Sequence, residues 1–205
     1  MSKFLAVDTS SRYLTVAAKN GAKTKVNYIE DCAMNHSVVL MGEIEKTLQE
    51  VGLTPAECDN FVAVTGPGSF TGIRIGIACV KGFSEALGKK CAGVTVFDMI
   101  SYNVNSDCDY LVAVDAAHGY YYVCGYTADG QINFAPAYLS FGEVAAANVP
   151  VYGFEVLPFA NYKQIDVKNC LLGAAEKCLE NGGGIEALYV RKSQAEEERL
   201  KRESV

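Results

Sequence analysis

The densest chemical potential in the chain lies in one block, Thr65-Gly66-Pro67-Gly68-Ser69-Phe70-Thr71-Gly72-Ile73-Arg74-Ile75-Gly76. An apolar run at 61–64 precedes it and a helical pattern follows. The spacing therefore predicts a strand, a glycine-rich turn and the start of a helix. That geometry leaves backbone N–H groups at the positive end of a helix dipole, which is what an anion cradle requires. Ser69 and Thr71 add hydroxyls, and Arg74 adds a cation one turn in. No Lys-Ser/Thr pair follows the last glycine, so the block is not a Walker-type phosphate loop. A second reading stays open: the glycines only make the turn and let Gly72, Gly76 and Cys79 pack closely against another helix. Shape alone favours this packing reading.

Other reactive residue types are sparse. Asp8 and Asp115 each end a short apolar run and enter a polar turn, Thr9-Ser10-Ser11 after the first. Either could face a phosphate or simply close a strand. His36 and His118 are the two histidines. One imidazole cannot hold a metal alone, and the position four after His36 is Leu40, so no metal site is expected. Ser69 has no identifiable histidine base and no G-x-S-x-G around it, which leaves a serine peptidase as a weak alternative. The eight cysteines form no C-x-x-C pair and lie mostly within apolar runs, as small buried hydrophobes do in a reducing compartment.

The elements that must position these residues alternate. Strands are expected at 4–7, 13–18 and 24–29, with Asn20-Gly21 as a hairpin turn. A helix over 35–51 carries Leu40, Met41, Ile44, Leu48 and Val51 at the three-and-four spacing of one face, capped by Asn35 or Ser37 and ended by Gly52. Thr54-Pro55-Ala56-Glu57 has capping-box spacing. A helix over 71–87, stopped by Gly88, a strand at 92–96 and a helix over 97–104 complete the first half. Polar residues at 103–107 mark a linker. The second half opens with strands at 110–114 and 120–126, then an Asp129-Gly130 turn, a helix capped by Ser140, a strand at 149–152 and a helix over 169–181. Gly182-Gly183-Gly184 follows as a helix end. The tail over 191–203 is highly charged, with Glu197–Lys201 and Glu198–Arg202 at helical i,i+4 spacing. Two strand–Asp–strand halves suggest a duplicated α/β unit, divided into 1–104 and 105–205.

The glycine block resembles the signature of the bacterial TsaB (YeaZ) family, which belongs to the tRNA threonylcarbamoyladenosine machinery. Leu5-Ala6-Val7-Asp8-Thr9-Ser10, Asn35-His36-Ser37, Asp115 with Tyr121-Tyr122, and Leu188-Tyr189-Val190-Arg191 resemble further family blocks, and agreement is densest over 3–104. The resemblance implies the actin-like ATPase (ASKHA, ribonuclease H-like) superfold, an α/β fold of two duplicated βββαβα lobes. It also implies that Asp8, Thr9, Ser10 and Asp115 are a vestigial phosphate loop. Active members carry glycine two residues after each aspartate, where this chain has Ser10 and Ala117. An independent ATPase or kinase is therefore the lesser alternative, as is the metallopeptidase (glycoprotease) reading, since the H-x-x-x-H of the paralogue TsaD is absent here. What the resemblance implies instead is a non-catalytic subunit without catalytic residues. It would bind and activate TsaD, work with the ATPase TsaE, reach tRNA through the complex, and form a homodimer when alone. It would hold no metal or cofactor of its own, with ATP or ADP only at the shared interface. The implied partner-binding residues are His36, Ser37, Leu40, Met41, Ile44 and Leu48 on the first long helix, with Gly72, Ile73, Arg74, Gly76, Cys79 and Phe83 on the second. Gly66, Gly68, Ser69 and Thr71 form the glycine-rich turn.

Composition sets the outer bounds. Of 205 residues, 50% are hydrophobic and 20% charged, with a net charge of −6, so a packed core is expected rather than disorder. The acidic balance argues against tight nucleic-acid binding by this chain alone, because phosphate counterions are displaced by Lys and Arg. No apolar run approaches the roughly 20 residues of a membrane span, and the apolar start breaks at Asp8 before a signal peptide develops. A cytoplasmic protein with no membrane partner is expected.

Overall fold

Short apolar and β-branched runs, broken by the left-handed Gly21 at the Asn20-Gly21 turn, fold the first segment into an antiparallel meander of β1 (Lys3–Asp8), β2 (Leu14–Asn20) and β3 (Lys23–Ile29). The computed structural model describes residues 2–181 and 184–191. After the meander come α1 (His36–Val51), a 3-10 turn at Pro55–Glu57 and β4 (Asn60–Val64). Then follow α2 (Phe70–Leu87), β5 (Lys90–Val94) and α3 (Val96–Ser101). The first sheet has the order β3-β2-β1-β4-β5, with β4 and β5 running parallel to β1.

The second segment repeats the plan. It contains β6 (Tyr110–Asp115), β7 (Tyr120–Tyr126), β8 (Ile132–Ser140), α4 (Phe141–Ala146), β9 (Val151–Gly153) and β10 (Tyr162–Gln164). Its sheet, read from the other edge, is β8-β7-β6-β9-β10, the same order and the same mixture of antiparallel and parallel pairs. This duplicated α/β unit is the actin-like superfold expected from the sequence. The copies are unequal, however: residues 154–161, which join β9 to β10, carry no helix where the first unit has α2.

The final helix, α5 (Val167–Asn181), returns to the first sheet. Its Cys170, Leu171, Ala174 and Cys178 join Phe4, Ala6 and Ala17 of the first sheet and Val112 and Cys124 of the second in one buried cluster. Strand periodicity sends the alternate residues Leu5, Val7, Val16 and Phe61 to the opposite face, where Leu40, Ile44 and Leu48 of α1 and Val80 of α2 cover them.

Several boundaries shift for local reasons. The strand expected at 92–96 ends at Val94 because Thr95 caps α3, its hydroxyl accepting the Asp98 N–H at 3.0 Å. That helix stops at Ser101 rather than 104, where Asn103 Nδ2 donates to the Met99 carbonyl. Strands β8 and β10 escape sequence detection: β8 contains Pro136 and is exposed on both faces over 132–136, and β10 has three residues. Gly182, Gly183 and the pairs Glu197–Lys201 and Glu198–Arg202 lie outside the described residues. All eight cysteines are free, and five of them are buried. Among the described residues no helix is long and apolar enough to cross a membrane.

Because Leu171 is 1% exposed in the cluster shared by both sheets, Leu171→Ala is expected to cost about 2–5 kcal/mol in urea unfolding. A single lowered transition is the expected outcome. Two separated transitions would show that the sheets unfold independently.

Candidate functional site

The turn after β1 lies directly on the start of α2. Ser69 N–H donates to the Ser10 carbonyl at 2.7 Å, and Thr9 Oγ1 donates to the Gly72 carbonyl at 2.7 Å. A Cβ at Gly68 would stand 2.1 Å from the Ser10 oxygen, and one at Gly72 would stand 2.0 Å from the Thr9 oxygen. At Gly76 it would meet Thr9 Oγ1 at 2.6 Å. The glycines are therefore required by close backbone approach, but the group that approaches is the chain's own turn. Thr9 and Ser10 are completely buried in that contact. The Ser69 hydroxyl accepts the Gly72 N–H at 3.2 Å and caps the helix. Thr71, also in the turn, is exposed, and Gly66 packs against Ile73.

The two aspartates share one local design. Asp8 Oδ1 accepts the Ser10 N–H at 2.8 Å, and Asp115 Oδ1 accepts the Ala117 N–H at 3.0 Å. In each lobe the carboxylate thus occupies the amide two residues on, an Asx turn that leaves that N–H with nothing to offer a phosphate. Ala117 adopts a left-handed φ of 64°, with a methyl group in a region that favours glycine. Asp115 faces a cleft of about 330 Å³ between the two sheets, lined also by Arg12, Tyr122, Phe154 and Glu155. Glu155 Oε2 accepts the Asp115 N–H at 2.9 Å, and burial pushes the Glu155 carboxyl up against the opposing effect of that bond. Arg12, Phe154 and Glu155 were not singled out from sequence. The loop that follows β9 had no periodicity to mark it.

The residues expected at a partner surface divide sharply. Leu40, Ile44, Leu48 and Ile73 are at most 3% exposed and belong to the chain's own core, although Ile44 and Leu48 also line the floor of a surface groove. Apolar spacing identified the buried face of α1, and that face covers the sheet. Gly72 and Gly76 are buried against Thr9. His36 is buried too. Its Nε2 lies 2.9 Å from the Tyr13 carbonyl oxygen, which can only accept, so this nitrogen carries a proton and points inward. Arg74 is exposed but engaged, with Nε donating to the Tyr189 hydroxyl at 3.0 Å while Tyr189 stacks on Phe70.

Ser37, Met41, Cys79 and Phe83 do reach the surface, and they have company. Val38 and Met41 are 76% and 54% exposed on the outer face of α1, beside Gly42. Ala78, Gly82 and Ala86 lie exposed at four-residue spacing on α2. The two strips adjoin: the Cys79 thiol lies 3.9 Å from the Met41 sulfur, and Phe83 and Met41 line a groove of about 430 Å³. Burial pushes the Cys79 thiol up to about 11, so it is a packing group rather than a nucleophile. The strip could have been found by noticing that Val38 and Met41 are out of phase with Leu40, Ile44 and Leu48.

Comparison with known proteins adds a lineage to this geometry. A family model described as TsaD, tRNA N6-adenosine threonylcarbamoyltransferase, matches residues 28–170, more than half of the chain. The tRNA threonylcarbamoyladenosine biosynthesis protein TsaB of Bacillus subtilis is 30% identical over 99 residues, covering 48% of this chain and 43% of that protein. The Escherichia coli protein of the same name is 28% identical over 130 residues, covering 62% and 56%. The chain thus matches about half the length of these curated relatives. YeaZ from Pseudomonas aeruginosa superposes with a TM-score of 0.75 at 22% identity, covering 92% of this chain and 100% of that one, which shows a shared fold.

The two kinds of helical glycine are expected to respond oppositely. Gly72→Ala should destabilise by about 1–3 kcal/mol, because the turn after β1 must retreat. Gly82→Ala meets nothing within 4 Å and should stabilise by up to about 1 kcal/mol through helix propensity. Urea midpoints of the two variants check this, and a tolerated Gly72→Ala would contradict the nested turn.

Proposed function

The chain belongs to the TsaB (YeaZ) family, and from that membership we propose that it serves tRNA threonylcarbamoyladenosine formation as a non-catalytic subunit. Its partner in this reading is TsaD, which supplies the chemistry of transfer to the adenosine beside the anticodon, with TsaE completing the assembly. The observation that carries the proposal is the exposed strip of Val38, Met41 and Gly42 on α1 against Ala78, Gly82 and Ala86 on α2. Small residues along one helix let a second backbone come close, and the two sulfurs and the Phe83 ring give that approach an apolar floor. Flanking Glu45, Lys81 and Glu85 supply a charged rim.

The partner surface is therefore the outer strip rather than the core stripe of α1. Docking there acts by population: a surface that binds the competent conformation of TsaD more tightly raises the share of that conformation. A stable interface of this kind buries on the order of 1,600 Å² in total, more than the strip alone, so neighbouring loops join it. Without TsaD, the same strip pairs two copies of this chain. Nucleotide belongs at the shared interface in this reading, and tRNA is reached through the complex in the cytoplasm. The filled cradle under α2 and the acidic groups of the cleft support a subunit that leaves phosphate chemistry to its partners.

Met41→Glu and Ala78→Glu place a charge on the strip without entering the core. Each is expected to weaken binding to purified TsaD by at least about tenfold, read by calorimetry. Thermal melting should stay close to that of the unaltered chain. Undiminished binding by both variants would overturn the assignment of this surface, and threonylcarbamoyl transfer by the isolated chain would overturn the non-catalytic reading.

A further inference from the structure

Residues 185–191 follow α5 as a strap without helix or strand, and they cross the start of α2. Leu188 N–H donates to the Thr65 carbonyl at 2.8 Å, and a Cβ at Gly66 would stand 2.9 Å from the Leu188 oxygen. Leu188 and Val190 pack against the buried cluster shared by both sheets. Arg191 holds the far end, its Nη1 donating to the Tyr138 hydroxyl of β8 at 3.2 Å. Tyr189 lies between these anchors and turns outward. Its ring stacks on Phe70 with 4.6 Å between centroids, its hydroxyl accepts the Arg74 Nε–H at 3.0 Å, and 39% of its surface stays exposed. A ring held in this way needs little further ordering when a partner arrives.

The helical period of about 3.6 residues per turn sends Phe70 and Arg74 out of one side of α2 and Cys79 and Phe83 out of the opposite side. The first pair touches the strap, and the second reaches Met41 of α1. Exposed Ala78 and Gly82 project midway between the two. The open face of α2 is thus the floor of a trough, with α1 as one wall and the strap as the other. Among the described residues, Met34, Val38 and Met41 are the large exposed apolar side chains of the first unit, and Tyr189 is the one on the strap. A helix lying along the small side chains of the floor, at the about 8–10 Å of close packing, would meet Met41 on one flank and Tyr189 on the other.

We propose that the strap is the second wall of the docking site, and that the Tyr189 ring is an aromatic anchor for a helix of TsaD lying along Ala78 and Gly82. This assignment rests on the reading of α1 and α2 as the TsaD docking face, and it names the segment that completes that face. One partner contributes about 800 Å² to a stable interface, more than the side chains of Val38, Met41, Ala78 and Gly82 could present. The strap continues their surface through Arg74, one turn before Ala78. Tyrosine and arginine are also the residue types on which binding energy concentrates when a partner shields them from water.

Calorimetry with purified TsaD tests both walls. Tyr189→Ala is expected to bind at least about tenfold more weakly than the parent, and Tyr189→Phe, which keeps the stack, within about threefold. Equal losses for the two would move the contact to the hydroxyl and overturn the ring as anchor. Met41→Glu, on the opposite wall, reports on the docking reading itself. If it weakens binding while Tyr189→Ala stays within about twofold of the parent, the strap is overturned and the docking face stands. Full binding by both variants would overturn the docking face together with the strap. Hydrogen exchange of the unaltered chain keeps the test independent of any loosening caused by mutation. Saturating TsaD is expected to slow exchange over 186–191 at least about fivefold, together with 78–86. Slowing confined to α1 and 78–86 would overturn the strap as a wall. So would a Tyr189→Ala chain that no longer self-associates in sedimentation but binds TsaD normally, since the strap would then serve a second copy.

Discussion

The architecture depends on one close contact, the nesting of the Thr9 and Ser10 backbone into the first turns of α2. Three glycines make it feasible, since any Cβ at Gly68, Gly72 or Gly76 would collide with that turn. The contact fixes how α2 lies on the first sheet and fills the position where a helix N-terminus would otherwise receive an anion. It also decides which face of α2 remains outside. With Gly72, Gly76 and Val80 turned inward, Ala78 and Gly82 are left at the surface beside Met41 of α1. A motif that reads as a phosphate cradle thus becomes the device that presents a helical docking face.

An unequal duplication shapes the rest of the site. Both units place an aspartate at the end of their first strand, and both aspartates fold back onto the amide two residues later. The second unit carries no helix between β9 and β10, and α5 crosses to pack on the first sheet. A nucleotide cleft needs two opposed loops that are open to phosphate. Here the first loop borders the cleft through Ser10 and Ser11 but its backbone is engaged by Ser69 and Asp8, and the other carries a methyl group in a left-handed turn with Glu155 bound to the amide of its aspartate.

How much of this was legible in the sequence depended on whether a signal was local. Capping boxes at Thr54 and Ser140, left-handed glycines at Gly52 and Gly88, the apolar run of β1 and the alternation in β7 are encoded by neighbours a few residues apart, and they appear where the sequence placed them. Strand β8 does not alternate, because both of its faces are exposed over five residues, so periodicity had nothing to detect. The glycine block was recognised as a turn opening a helix, but which group would fill it is a long-range fact, set by a turn more than 50 residues away. The inner and outer faces of α1 were hard to separate for a related reason. Helical spacing reports that a face is apolar, and Leu40, Ile44 and Leu48 are apolar because they cover the sheet; the outer strip mixes Val38, Met41 and Phe83 with small and charged residues, which blurs its period.

The central claim, that the cradle beneath α2 is closed by the chain's own backbone, is tested most directly by recording amide resonances while magnesium-ATP or inorganic phosphate is added to the isolated protein. The account predicts no saturable shift at Ser69, Phe70, Thr71, Gly72 or Ile73 and a strongly exchange-protected Ser69 amide. Saturable shifts confined to those amides, with loss of the Ser69 protection, would contradict it.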